Sequence, residues 1–142
     1  MVAARGLAEA DLARHLAPRL RDWLPDPSSL PGMDALADRL AWAVRRGDTI
    51  ALFGDYDVDG QAAVALLARY LAILGVRVLH TVPHRLRDGY GPNESAFRSF
   101  VAAGARTIVC LDCGSNAPGP IAAVAGEADV LVLDHHRCAA AP

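Results

Sequence analysis

The feature that most constrains the fold is an alternation, from residue 49 onward, of short continuous apolar runs with stretches of helical periodicity. Continuous apolar runs of this length are typical of strands buried on both faces, as in parallel sheets covered by helices. The pattern therefore predicts an α/β fold with a doubly wound, mostly parallel sheet of at least four strands. The predicted strands are residues 49–53, 76–82, 106–111 and 128–133, and the predicted helices between them are residues 63–74, 93–103 and 118–125.

Two helices are predicted before the sheet. Leucines and a tryptophan recur at helical spacing across residues 8–24, and a loop rich in proline and serine follows at residues 25–29. The second helix is predicted over Met33–Arg46, with Gly47 as its stop. We therefore expect residues 1–47 to form an N-terminal helical segment and residues 48–142 to contain the sheet.

Carboxylates follow three of the four predicted strands. The run Asp55-Tyr56-Asp57-Val58-Asp59-Gly60 comes directly after the first strand, Asp112 follows the third and Asp134 the fourth. The carboxyl ends of parallel strands meet at one edge of a sheet, where ligands bind. Carboxylates that converge there repel one another unless a cation lies between them. The first run alone is equally typical of a solvated turn, but its companions favour a site for a hard divalent metal.

The composition excludes several classes of protein. A net charge of -2 argues against bulk coating of DNA, although it leaves a local basic cleft open. All 14 basic residues are arginine, which excludes Schiff-base chemistry and a P-loop lysine. Three cysteines suit a reducing compartment, and we find neither a signal peptide nor an apolar run of the roughly 20 residues that span a bilayer. We therefore expect a cytoplasmic protein with no membrane partner.

Four motifs occur in order along the chain, and three of them lie at the carboxyl ends of predicted strands. They are Asp55-Tyr56-Asp57-Val58-Asp59-Gly60, Gly89-Tyr90-Gly91-Pro92-Asn93, Val109-Cys110-Leu111-Asp112-Cys113-Gly114 and Asp134-His135-His136. In this order they resemble the DHH phosphoesterase superfamily and, within it, the RecJ family of single-stranded-DNA-specific 5′→3′ exonucleases. The resemblance covers nearly the whole chain, and the segment that begins at Gly89 favours this family over other members of the superfamily.

The resemblance implies a centre with two divalent ions, either Mn²⁺ or Mg²⁺. Asp57 and Asp59 match the metal ligands of the first motif, one for each ion. Asp112 matches the carboxylate that bridges both ions, and His135 matches a ligand of the second. Ligation rich in carboxylates agrees with these hard cations.

The resemblance also implies the catalytic roles. His136 matches the residue that faces the scissile phosphate, and Asp134 a residue that orients the histidines, although a helix N-cap or a loop residue is an alternative for Asp134. Asp55 matches a supporting position. Two ions held about 3.5–4 Å apart can activate a water and clamp the attacking and leaving oxygens of an in-line displacement. The implied reaction is hydrolysis of single-stranded DNA from its 5′ end to mononucleotides.

Three residues near the second motif are predicted to contact the nucleic acid. Arg85 and Arg87 precede Gly89, and the arginine fork suits backbone phosphates. Tyr90 can stack on a base. The alternatives are solvated loop charges for the two arginines and a packed ring for the tyrosine. The implied partners are single-stranded DNA and, through the resemblance, proteins of DNA repair and single-strand binding.

The sequence departs from the family pattern at three places. Some relatives carry a histidine, a ligand of the first ion, at the position of Phe53. Gln61-Ala62-Ala63 stands where hydroxyl-bearing residues often follow the first motif. The sequence given ends at Pro142, whereas the family has a further metal-ligating aspartate, the remainder of the DHH domain, a second domain and an oligonucleotide-binding fold downstream. We therefore expect this chain alone to be inactive or very weakly active as a nuclease.

Two other functions remain open from the sequence. The first is a small-substrate DHH phosphoesterase, such as an oligoribonuclease, a cyclic-dinucleotide phosphodiesterase or a pyrophosphatase. The second is a non-catalytic remnant that binds metal or nucleic acid. Metal-binding measurements and a comparison of long and short substrates would separate these possibilities.

Overall fold

The structure is a computed structural model that describes residues 6–138. The end of the sequence at Pro142 therefore lies outside the described residues. The chain divides into two compact units, with the boundary between Ala35 and Leu36. The predicted division into residues 1–47 and 48–142 stays a prediction.

In the first unit, the single helix predicted across residues 8–24 is wrong, because the chain forms separate short turns. A 3₁₀ turn at Glu9–Asp11 leads into α1 (Leu12–Leu16), and α2 (Leu20–Trp23) follows after a break. The break comes at Ala17, whose backbone (φ -130°, ψ 70°) has left the helical region. Ala17 precedes a proline, and the proline ring disfavours helical geometry in the residue before it.

The second unit contains a four-stranded sheet in the order β2-β1-β3-β4, and every pair of neighbouring strands is parallel. The predicted fold class is confirmed. The predicted strands are all present, and the second predicted helix has the expected bounds. The elements are α3 (Met33–Arg46), which crosses the boundary between the units, β1 (Thr49–Gly54), α4 (Val58–Ile73), β2 (Val78–Thr81), α5 (Arg85–Asp88), α6 (Glu94–Ala102), β3 (Ala105–Leu111), α7 (Pro118–Ala123) and β4 (Asp129–Leu133).

Strand β1 lies in the middle of the core, and its two faces pack against different helices. Phe53 points into a cluster with Phe97 of α6, while Leu52 points into a second cluster with Leu71 of α4 and Ala43 of α3. All five side chains are fully buried. Helices cover both faces of the sheet, so its central strands are continuously apolar rather than alternating.

The strand order creates a switch point between β1 and β3. The chain leaves β1 through α4 to reach β2 on one side, and it later returns to β3 on the other side of β1. The loops that follow β1 and β3 therefore diverge, and a crevice opens at the carboxyl edge of the sheet between them. No helix in the described part of the chain is long and apolar enough to cross a membrane.

Candidate metal centre

Three carboxylates from two loops meet at the switch point. Asp55 and Asp57 follow β1, Asp112 follows β3, and one oxygen from each lies within 4.8 Å of the others. Because Mg²⁺ and Ca²⁺ bind oxygen at about 2.0–2.6 Å, oxygens at these separations can share one ion. The donor set therefore fits a hard divalent cation.

Asp57 combines a structural task with its place in this cluster. Its Oδ1 accepts hydrogen bonds from the backbone N–H groups of Asp59 (3.0 Å) and Gly60 (3.1 Å), so Asp57 is the N-cap of α4. The amino end of a helix carries about half a positive charge, which favours a carboxylate there. The helix therefore offsets part of the repulsion between Asp57 and its acidic neighbours.

Two glycines allow α4 to begin directly against the loop after β1. A Cβ atom on Gly60 would lie 2.3 Å from the backbone nitrogen of Asp55, and one on Gly54 would lie 2.8 Å from the carbonyl oxygen of Gly60. Neither glycine has a positive φ, so close approach and not an unusual backbone conformation requires them. The sequence signal for this role is the glycine that ends the aspartate run.

Asp112 reaches the centre through an unusual backbone conformation. Its φ of 61° makes it the one non-glycine residue with a positive φ in the described part of the chain. This left-handed region costs most residues about 1–2 kcal/mol, although aspartate and asparagine tolerate it better. The backbone N–H of Asp112 donates to the carbonyl of Leu133 (2.9 Å), which ties this loop to the end of β4.

The side chain of Asp112 connects the acidic cluster to the histidine motif. Its Oδ1 lies 3.0 Å from Nε2 of His135, and Asp112, His135 and His136 form a second group of potential ligand atoms within 4.8 Å. Burial, followed by the negative charge of Asp57, raises the pKa of the Asp112 carboxyl. Both causes disfavour the ionised form of Asp112, and the positive charge of a bound cation would favour it.

Asp134 holds His136 in place. Its carboxylate is almost fully buried. Oδ1 accepts a hydrogen bond from the backbone N–H of His136 and lies 2.8 Å from Nδ1 of the same residue. Oδ2 accepts a hydrogen bond from the backbone N–H of Ser115. Burial alone would raise the pKa of Asp134, but the donors from His136 and Ser115 outweigh it and lower the pKa to about 2. The same contact with Asp134 raises the pKa of His136. These hydrogen bonds are those that an orienting residue would make.

In the absence of metal, Asp134→Asn is expected to lower the free energy of unfolding near neutral pH. The backbone N–H groups of Ser115 and His136 both donate to the carboxylate, and the NH₂ group of asparagine cannot accept a hydrogen bond from either of them. The pKa of Asp134 in the folded chain, about 2, lies below its ordinary 3.8. The ionised carboxyl therefore stabilises the fold above that ordinary value, and this contribution is lost as the pH falls towards 2. Urea unfolding in EDTA at several pH values measures the difference between the two proteins.

The matched control is Asp38→Asn, since Asp38 is exposed on α3. Its free energy of unfolding should stay close to that of the wild type at every pH. A difference between Asp134→Asn and the wild type that stays constant or grows as the pH falls from 3.8 towards 2 contradicts the assignment.

A row of aromatic rings borders the centre. The Tyr90 ring packs edge-on against the rings of Tyr56 (6.2 Å) and His136 (5.8 Å), and the Arg85 guanidinium lies 5.1 Å from the Tyr56 ring. Burial, followed by the charges of Asp134 and Asp55, raises the pKa of Tyr90 to about 12. Tyr90 is therefore a neutral hydroxyl beside the acidic centre, with half of its surface exposed.

The structure gathers some of the predicted residues more closely than others. Asp55, predicted only to support the site, stands within the acidic cluster, whereas Asp59 belongs to neither group of potential ligands among the described residues. Arg87 pairs with its neighbour Asp88 at 3.0 Å on the short helix α5. Gln61, at one of the positions that depart from the family pattern, donates through its side chain to the carbonyl of Tyr56. The individual roles of these residues stay predictions.

Residues 49–142 match the DHH family, N-terminal domain. The single-stranded-DNA-specific exonuclease RecJ of Bacillus subtilis (strain 168) is 36% identical over 139 residues, covering 96% of this chain and 18% of that protein. RecJ of Thermus thermophilus is 36% identical over 121 residues, covering 83% of this chain and 18% of that protein. The chain therefore spans 18% of the length of each of these two relatives.

Solved structures show the same likeness. A crystal structure of exonuclease RecJ bound to manganese superposes with a TM-score of 0.72 at 34% identity, covering 84% of this chain and 30% of that one. RecJ from Thermus thermophilus in complex with Mn²⁺ superposes with a TM-score of 0.67 at 28% identity, covering 83% of this chain and 17% of that one. The resemblance seen in the four motifs is confirmed, and the chain belongs to the DHH family.

Proposed function

We propose that this chain supplies the metal-binding part of a phosphodiesterase site that hydrolyses single-stranded DNA from the 5′ end, with Mn²⁺ or Mg²⁺ as cofactor. The observation that carries the proposal is the meeting of Asp55, Asp57 and Asp112 at the switch point, with His135 in contact with Asp112. Carboxylates collected at one crevice, beside an imidazole, offer the types of ligand atom that two-metal centres use.

Each residue has a distinct role in this proposal. Asp57, Asp112 and His135 would hold the ions, together with Asp59, which matches a metal ligand of the family's first motif. The ions would supply activation of a water and neutralisation of charge on the phosphate. Asp55 supports the cluster from its buried position. Asp134 is a positioning residue, because its hydrogen bonds fix the ring that His136 would turn towards the scissile phosphate.

The proposed substrate rests on the relatives, which are named single-stranded-DNA-specific exonucleases. Arg85 and Tyr90 border the centre together with Tyr56, where a phosphate and a base of the terminal nucleotide would lie. Arg87, on the same short helix, would add a second phosphate contact once it released Asp88. Contacts with repair and single-strand-binding proteins, and a cytoplasmic location, belong to the same proposal.

The metal centre can be tested by calorimetry with Mn²⁺. We expect the wild-type chain to bind Mn²⁺, and Asp112→Asn to weaken the affinity by about tenfold or more, because it removes the charge at the place where both ligand groups meet. Asparagine keeps the size of the side chain and tolerates the left-handed backbone. Asp38→Asn removes one exposed carboxylate from α3 and should leave the affinity unchanged.

The proposal fails if the wild-type chain shows no Mn²⁺ binding, or if Asp112→Asn binds as tightly as Asp38→Asn. The substrate class is tested separately, by competition for the metal-loaded chain between a 5′-phosphorylated oligothymidylate, a dinucleotide and pyrophosphate. We expect the oligonucleotide to bind most tightly. A preference for pyrophosphate or the dinucleotide would instead indicate a small-substrate phosphoesterase.

A further inference from the structure

A second cavity lies at the amino edge of the sheet, away from the metal centre. Its volume is about 200 Å³, and its walls include Arg39, Trp42 and Arg46 of α3 and Arg106 of β3. The metal centre is built at the other ends of the strands, and a strand of six residues spans roughly 20 Å. The cavity is therefore separate from the DHH site.

Trp42 organises the arginines that line this cavity. The guanidinium of Arg39 lies 4.2 Å from the centre of the Trp42 ring and that of Arg46 lies 4.3 Å from it. A guanidinium over an aromatic face at this distance is held by cation–π attraction while its N–H groups stay free to bind acceptors in its own plane. Trp42 itself is 41% exposed, so the cavity is open to solvent.

The carboxylates around the cavity are each matched by an arginine. Asp129 pairs with Arg39, Asp48 pairs with Arg46 at 3.6 Å, and Glu127 pairs with Arg98 at 2.6 Å. Arg98 also pairs with Glu94 at 3.5 Å, so the arginines of this network, Arg106 included, equal its carboxylates in number, and each carboxylate contacts an arginine other than Arg106.

Among the described residues, Arg106 keeps most of its N–H groups free for another acceptor. Its Nη1 reaches only the backbone carbonyl of Glu127, at 3.4 Å, and no carboxylate pairs with it in the part of the chain that the structure describes. Nη1 of Arg39 is buried and has no hydrogen-bond partner among residues 6–138. A buried donor without a partner destabilises the folded chain, and an acceptor that enters the cavity would remove this cost.

From these contacts we infer that the cavity is a binding site for a phosphate group. Its volume is below the roughly 300–1,000 Å³ of pockets that enclose whole small molecules, so it suits a single oxyanion. Arginine forks match phosphate oxygens through paired N–H groups. The phosphate belongs either to a nucleic-acid backbone or to a free nucleotide or inorganic phosphate. The inference does not depend on the proposed metal centre.

Trp42 provides the readout for the test. The chain has two tryptophans, so Trp23→Phe leaves Trp42 as the sole source of tryptophan fluorescence. Inorganic phosphate is titrated at constant ionic strength with EDTA present, so that no metal-bound phosphate contributes. We expect a saturable change in Trp42 fluorescence, and Arg106→Gln in the same background should weaken the affinity by about tenfold.

The matched control is Arg69→Gln, which removes an exposed arginine on α4 and should leave the phosphate affinity unchanged. A 5′-mononucleotide and a short oligothymidylate are titrated in parallel. Binding of the oligonucleotide that depends on Arg106 supports a backbone phosphate, and binding of phosphate or mononucleotide alone supports a free anion. The inference is overturned if no phosphate probe changes the Trp42 signal, or if Arg106→Gln and Arg69→Gln reduce the affinity equally.

Discussion

The Gly60→Ala variant is expected to be less stable than the wild type by about 3 kcal/mol, because overpacking against rigid groups typically costs 1–3 kcal/mol or more. The added methyl group would lie 2.3 Å from the backbone nitrogen of Asp55 and 2.5 Å from its carbonyl oxygen. Both contacts are with backbone, so no side-chain rotation can relieve them. The start of α4 has to move away from β1 or the loop has to shift.

Urea unfolding measures this loss of stability, and Mn²⁺ calorimetry measures its effect on the centre. Asp55 makes the contact with Gly60, and Asp57 caps α4. Displacement of α4 is therefore expected to move both carboxylates and to weaken Mn²⁺ binding as well. Gly119→Ala is the control, since a Cβ atom at Gly119 in α7 would meet nothing within 4 Å. If Gly60→Ala unfolds at the same urea concentration as Gly119→Ala, the close approach of α4 to the loop is not as described.

The Phe53→His variant is also expected to lose about 3 kcal/mol, from lost apolar burial and an imidazole without partners. Phe53 is fully buried, and its ring meets that of Phe97 edge-on at 6.0 Å. Burial holds the pKa of a histidine below its ordinary value. The variant should therefore lose further stability as the pH falls below about 6.5, where the unfolded chain takes up the proton.

Phe53→Leu is the matched variant, because it shortens the side chain but keeps it apolar and cannot titrate. Its free energy of unfolding should lie between those of the wild type and Phe53→His, with the same pH dependence as the wild type. Equal stabilities of the two variants across the pH range would mean that position 53 lies in a polar environment. The result would also show whether this chain tolerates a histidine at position 53.

The elements defined by strong periodicity could be predicted from the sequence. Helix α3 has the predicted bounds, and the helix predicted over residues 93–103 is present as α6, with Asn93 as its N-cap accepting a hydrogen bond from the backbone N–H of Ala96. The break after α1 is not predicted, because the leucine spacing continues across Pro18. Spacing alone takes no account of the backbone N–H group that proline lacks. The four-residue helix α5 is too short to show any periodicity.

The sequence predicts which residues meet at the candidate site but not the distances between them. The rule that parallel strands end at one edge is enough to bring Asp112 towards the first aspartate run. The rule gives no distances, so it could not show that Asp55 joins the cluster more closely than Asp59. Nor could it show that Gly60 has to lack a side chain, because that depends on a backbone approach between residues five positions apart.

The left-handed backbone of Asp112 limits how this position can change in evolution. An alanine or valine there would lose the carboxylate and add backbone strain, whereas asparagine or glycine would lose the carboxylate alone. Members of the family that have given up metal binding should therefore carry asparagine or glycine at the position of Asp112. On the proposed role of Asp112, a sequence that keeps the other motifs and shows either residue there is expected to keep the fold and to bind metal more weakly.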